Sequence, residues 1–186
     1  MGCNWDGPGV NLLPDLSRAS ASAVAAQITA LRKPGDLVVI SIHWGSNWGY
    51  HIPDERKVFA RTLIDKAGVS IVHGHSSHHP RTIEIYRDRL ILNGCGDFLN
   101  DYEGIRGYER YRDYLVLMYF ADLEPTSGTL HALELVALQI KNFRLFRPSR
   151  HDVEWVQQTL DRESRRFGTR ITFDADQNLV VEGHTN

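Results

Sequence analysis

Two short apolar stretches, DLVVISIHW at residues 36–44 and VSIVH at residues 69–73, most restrict how this 186-residue chain can fold. Both are rich in β-branched residues, and neither alternates polar with apolar. That is the pattern of a strand covered on both faces in a parallel sheet. Parallel neighbours need a crossover between them, and the intervening residues supply one. A loop containing Gly45, Gly49 and Pro53 leads to Asp54, a helix cap, and to ERKVFARTLIDKAG, a helix closed by Gly68. Upstream, Leu16 to Arg32 is Ala-rich with Val24, Ile28 and Leu31 at helical spacing. Asp15 or Ser17 caps this helix, and Pro34-Gly35 stops it. Alternation of helix and strand as far as His73 predicts an α/β layer.

Beyond His73 the pattern changes. RTIEIYRD and RLILNG predict two strands around a tight Arg87-Asp88-Arg89 turn. RDYLVLMYFADLE, GTLHALELVALQI and FRLFRP follow as antiparallel strands with polar turns such as Thr126-Ser127-Gly128. Asp152 to Phe167 is an amphipathic helix, with Val153, Val156, Leu160 and Phe167 on one face. RITFDADQNLVVEG closes the chain as a hairpin around Asp176-Gln177-Asn178. Residues 1–147 read as one body, with the helix and hairpin of 148–186 packed on it. There is no internal repeat and no low-complexity linker.

Composition excludes several classes. The formal net charge is -2, and Lys and Arg are scattered, so no basic footprint for nucleic acid exists. No apolar run approaches the ~20 residues of a membrane span. The first residues, MGCNWDGPGVNLLPDLS, lack the basic and apolar regions of a signal peptide, and Trp5-Asp6 does not suit myristoylation. The two cysteines, Cys3 and Cys95, rule out a disulfide framework and leave the compartment open.

The chemistry is concentrated at strand ends. In an α/β sheet, functional groups gather beyond the carboxyl ends of the strands. His43 ends one apolar run; His73, His75, His78 and His79 follow the other. Neutral imidazole is a ligand for Zn, Fe or Mn. His75 and His78 are spaced so that two rings can turn towards a common centre, Gly74 gives the backbone room, and Ser76 and Ser77 can donate to a ligand oxygen. Asp97, Asp101 and Glu103, in the Gly-rich GCGDFLNDYEG, are candidate carboxylates; Asp97 reads equally as a turn or cap residue.

VVISIHWG, Pro53 and FARTLIDKAGVSIVHGHSSHHPRTIEIYRDRLILNGCGDFLND, in that order, resemble the capsule-synthesis CapA family. These proteins are also called poly-γ-glutamate synthesis proteins, and belong to the calcineurin-like metallophosphoesterase superfamily. Counted back from Ile83-Glu84, Gly74-His75 matches the family's Gly-His and His78 its last loop histidine. Ser76-Ser77 replace His-Pro, Gly96-Asp97-Phe98 replaces Gly-Asn-Phe, and Asn47 stands where many relatives have Glu. The resemblance extends over roughly Leu16 to Arg147.

It implies an α/β fold, part of a four-layer α/β/β/α metallophosphoesterase-like sandwich. It implies that His43, His75 and His78 are ligands of one or two divalent ions, Zn, Mn or Fe. Trp44, Asn47, Ser76, Ser77 and Asp97 would line the pocket or support the ligands, although a Trp at a strand end also packs. His73 and His79 match no family ligand and read as ordinary polar residues, His79 at the rim. The implied role is capsule or poly-γ-glutamate-type polymer biosynthesis with a metal-dependent hydrolase site. The partners would be a polyanionic polymer, a phosphoester or a peptide-like substrate. Alternatives are a non-catalytic component of a synthesis or export complex, or a general metallophosphoesterase. The family's earlier motifs, an Asp on a first strand, acidic positions after a second and an Asn-Asn-His segment, do not occur here. The chain therefore reads as the C-terminal part of a larger domain, with three histidines that would hold an ion only weakly.

Overall fold

The computed structural model describes residues 9–100 and 105–183. Asp101 and Glu103 lie outside them, as does Cys3. The described residues form α1 (Arg18–Leu31), β1 (Val39–His43), α2 (Asp54–Ala67), β2 (Ile71–His75), β3 (Ile83–Tyr86), β4 (Arg89–Leu92), β5 (Leu115–Leu123), β6 (Leu130–Lys141), β7 (Arg144–Phe146), α3 (Arg150–Ser164), β8 (Thr169–Phe173) and β9 (Leu179–Gly183). The architecture is mixed α/β with two sheets.

The first sheet has the order β1-β2-β4-β3. β1, β2 and β4 run parallel, and β3 returns antiparallel to β4. The β3–β4 turn uses Arg87 and Asp88, both with positive φ (48° and 57°), as a tight hairpin turn requires. The second sheet, wholly antiparallel, has the order β5-β6-β9-β8, with β7 also on β6. The C-terminal hairpin thus extends the sheet begun by β5 and β6. It turns on Asp174, whose carboxylate accepts from the N–H groups of Asp176 and Asn178.

Two apolar cores result. Ala21 and Ala25 of α1 and Phe59, Leu63 and Ile64 of α2 cover Ile42 and Val72 on one face of the first sheet. On its other face Ile83, Leu90 and Leu92 meet Leu115, Leu117, Leu133, Leu135, Ile171 and Leu179 of the second sheet, with Val156 and Leu160 of α3. Burying each such Leu or Ile contributes about 1.5–3 kcal/mol.

Local structure departs from the sequence pattern in four places. β1 is an edge strand and is not covered on both faces: Val39 is 55% exposed. In α1 the small Ala21 and Ala25 make the closest packing, and Leu31 points outward. Ser17 is its cap, and Asp15 in turn accepts from the Ser17 N–H. The cap of α2 is Pro53, with Asp54 the first helical residue, and α3 starts at a Ser149 cap before Asp152.

Candidate functional site

Side chains alternate along a strand, which decides where the histidines point. Ile42, Val72 and Gly74 face the helices. Ser41, His43, His73 and His75 therefore face the second sheet. The parallel register places Ser41 opposite His73 and His43 opposite His75. The His43 and His75 rings meet edge to face with centroids 5.2 Å apart, and His73 lies 5.6 Å from His75. Ser41 Oγ lies 3.1 Å from His73 Nδ1. Burial, and secondarily the neighbouring His73 and His43, hold the His75 imidazole below its ordinary pKa, which favours the neutral, ligating form. His73 and His75 line a groove of ≈ 590 Å³ between the sheets, walled by Leu92, Phe98, Leu117 and Met118.

Gly74 permits this arrangement. A Cβ there would lie 2.3 Å from Trp44 Nε1 and 2.7 Å from the Leu92 carbonyl oxygen. Trp44 itself is only 5% exposed. It packs on Phe59, donates from Nε1 to the Asn93 carbonyl (3.3 Å), and so supports the strand end from within the core.

The loop after β2 separates its histidines. Ser76, with φ 134°, donates to the Trp44 carbonyl (2.5 Å) and ties the two strand ends together. Ser77 is buried and donates to the His79 carbonyl (2.9 Å). His78 Nδ1 lies 2.8 Å from Asp97 Oδ2, and Asn47 Nδ2 lies 3.2 Å from His78 Nε2. With the amide donating to Nε2, the imidazole proton is on Nδ1 and is given to Asp97. That is the bond an orienting carboxylate makes.

His79 is not at the rim. It is fully buried, stacked on Tyr111 (4.5 Å) and met edge-on by Tyr50 (4.8 Å). Its Nε2 accepts from the Gly49 N–H at 3.1 Å, and Nδ1 lies 3.0 Å from the Pro80 carbonyl. Both ring nitrogens are satisfied by the backbone. Burial, the largest cause, pushes its pKa down to about 4.

The structure thus brings His43 and His75 together and engages His78 with Asp97 and Asn47. Among the described residues, no group of three or more His, Cys, Asp or Glu side chains is placed to hold a metal ion. A single centre shared by His43, His75 and His78 is not formed. Structural Zn takes four ligands and catalytic Zn keeps three from protein, so two imidazoles do not make a shell.

Sequence reasoning missed the groups around the Gly45–Gly49 turn. Trp48 stacks on Tyr108 at 4.2 Å and joins the His79–Tyr111 stack. Arg56 and Arg81 are buried beside the turn, 4% and 1% exposed. Arg81 immediately follows His79-Pro80, and Arg56 lies in the first turn of α2. Neither position carries a local signal of burial, since arginine is ordinarily a surface residue.

Residues 4–102 match the family of bacterial capsule synthesis proteins PGA_cap. Over 95% of its length the chain is 50% identical to a probable polyglutamine synthesis accessory protein of Mycobacterium tuberculosis, of which the match covers 46%. It is 30% identical over 106 residues to the PGA biosynthesis protein CapA of Bacillus subtilis, covering 57% of this chain and 27% of that protein. It is 28% identical over 97 residues to the capsule biosynthesis protein CapA of Bacillus anthracis, covering 50% and 22%. The chain spans about half the length of the mycobacterial relative and less of the others. With the ordered succession of strand-end histidine, crossover helix and histidine loop, these matches make the chain a member of the PGA_cap family of bacterial capsule synthesis proteins.

Proposed function

We propose that this chain acts as a CapA-type accessory protein in the synthesis of a capsule or poly-γ-glutamate-type polymer, with His43 and His75 as two ligands of a divalent ion, Zn, Mn or Fe. The single observation that carries the site is the register that sets His43 opposite His75 at the carboxyl ends of adjacent parallel strands. The family match supports the role. The remaining ligands would come from a region corresponding to the part of the relatives that this chain does not match. That region would lie along β1 and β5, where the first and second sheets each have an open edge. His78, held by Asp97 and Asn47, would act outside the ion's ligand set, as a polar group of the same loop. The metallophosphoesterase-like sandwich belongs to the same reading, as does metal-dependent hydrolysis of a phosphoester or a peptide-like bond in a polyanionic polymer.

A second reading is an assembly component of the synthesis complex, without turnover of its own. It is favoured by the mycobacterial relative's description as an accessory protein. One experiment separates the two. The chain is expressed alone and with the unmatched region of the mycobacterial relative. Zn and Mn affinity are measured against a chromophoric chelator, with hydrolysis of a generic phosphodiester in parallel. Co-expression is expected to tighten metal binding at least tenfold, with His43→Ala or His75→Ala removing the gain. Tight binding without metal-stimulated turnover would favour assembly. Metal affinity indifferent to both histidines would refute the site.

A further inference from the structure

We infer that the cavity beside the Gly45–Gly49 turn binds a compact oxyanion, a carboxylate or a phosphate, through Arg56 with Arg81 behind it. The cavity, ≈ 430 Å³, is lined by Gly45, Ser46, Trp48, Pro53, Glu55 and Arg56 among others. Arg56 is 4% exposed, yet its Nε and Nη1 have no hydrogen-bond partner. Its guanidinium carbon sits 5.3 Å from the centroid of the Trp44 ring, which attracts the cation but offers no acceptor. Arg81 does not line the cavity but bonds a residue that does. Its Nη2 donates to the Ser46 carbonyl and, at 3.0 Å, to the Ser46 hydroxyl, while its Nε is left without a partner.

Several other arginines have counter-ions, although half-buried Arg89 also keeps an Nη1 without a partner. Arg61 pairs with Glu84, Arg112 with Asp152, and Arg165 and Arg170 with Asp161. Among the described residues, neither Arg56 nor Arg81 has a carboxylate within ion-pairing distance. Two like charges withdrawn from water at one turn, without an anion, is an arrangement folding alone disfavours. Burial first, and the charge of Arg56 second, push the Arg81 pKa down to about 10.

The turn makes room for the arrangement. Gly45 has φ 81°, and a Cβ there would lie 1.8 Å from Arg56 Nη2. Any other residue would displace the guanidinium from the cavity wall. A planar fork of donors matches a carboxylate or a phosphate, and two guanidiniums repel a cation. Exposed Glu55 stays outside ion-pairing distance of Arg56. The inference does not use the histidine pair.

The test uses the full chain and two probes, inorganic phosphate and a γ-linked glutamate oligomer, against chloride at equal ionic strength. The arginine Nε–H resonances are followed by NMR and the melting temperature by calorimetry. Saturable shifts of the Arg56 and Arg81 signals with a raised melting temperature are expected. Phosphate alone acting would mark a phosphate or phosphoester site, and the oligomer alone a polymer-carboxylate site. Arg56→Gln should weaken the response at least tenfold; if that variant does not fold, the wild-type resonances carry the result. A response to neither probe beyond chloride, or an undiminished one in folded Arg56→Gln, would overturn the site. The double variant His43→Ala, His75→Ala should keep the anion response even though its metal binding is lost. Loss of the anion response there would move the anion to the histidines and overturn the assignment.

Discussion

His79 and the His43–His75 pair are the same residue type at the same end of one sheet, yet they occupy opposite physical situations. His79 is sealed in a stack of aromatic rings, with a backbone partner at each nitrogen. His43 is exposed at an edge strand, and His75 lines an open groove. The first is committed to holding the Gly45–Gly49 turn against the β2–β3 loop. The second pair has ring nitrogens available to a ligand. A histidine's neighbours in sequence therefore say little about its work, whereas burial and the satisfaction of its two nitrogens say a great deal.

That contrast can be broken by substitution. His79→Ala should lose about 3 kcal/mol of stability, because it empties a packed ring site and orphans the Gly49 N–H. Urea unfolding followed by Trp fluorescence reads the loss, and a change under ~1 kcal/mol would mean that the stack is not structural. Gly74→Ala should follow at about 2 to 3 kcal/mol, since its Cβ meets backbone at Leu92 as well as Trp44. The same variant should disturb the His43–His75 spacing, visible as shifted imidazole resonances.

Acid should act on the sealed histidine. Its folded pKa of about 4 lies below the ordinary 6.5, so the unfolded chain binds a proton that the folded chain refuses between those values. The stability it confers is complete above about pH 6.5 and is lost as pH falls towards 4. Unfolding at about pH 7.5 and pH 5 should differ by roughly 2 kcal/mol from this group. A flat profile between those pH values would contradict its burial as a neutral ring. The smallest effect is expected at the exposed member: His43→Ala should change stability by no more than ~0.5 kcal/mol, while abolishing the histidine-dependent part of metal binding.

Much of the fold was legible in the sequence because it is set locally. Turn residues such as Gly68 and Arg87-Asp88, and the β-branched runs, announce their structure within a few positions. The α1 cap was legible as one of two residues, Asp15 or Ser17, and the starts of α2 and α3 only to within a few residues. The edge position of β1 was not legible, because a strand's place in its sheet depends on partners distant in sequence. The same limit governs the site. Strand-end placement pointed to His43 and to the His73–His79 group, and the family resemblance to His43, His75 and His78; parallel register sets His43 opposite His75 alone. Nothing near His79, Arg56 or Arg81 in the sequence announces burial, since their enclosure is built by Trp44, Trp48, Tyr50 and Tyr111 arriving from other segments.

The division of labour among the histidines is most directly tested by long-range proton–nitrogen NMR of the imidazoles during titration with Zn. Each ring reports its own tautomer and ligation. The expected result is that the His43 and His75 nitrogens shift together and saturably, while His79 keeps its resonances and its Nδ1–H form throughout. A shift at His79, or a change spread evenly over the chain's histidines with none concentrated on the pair, would contradict it.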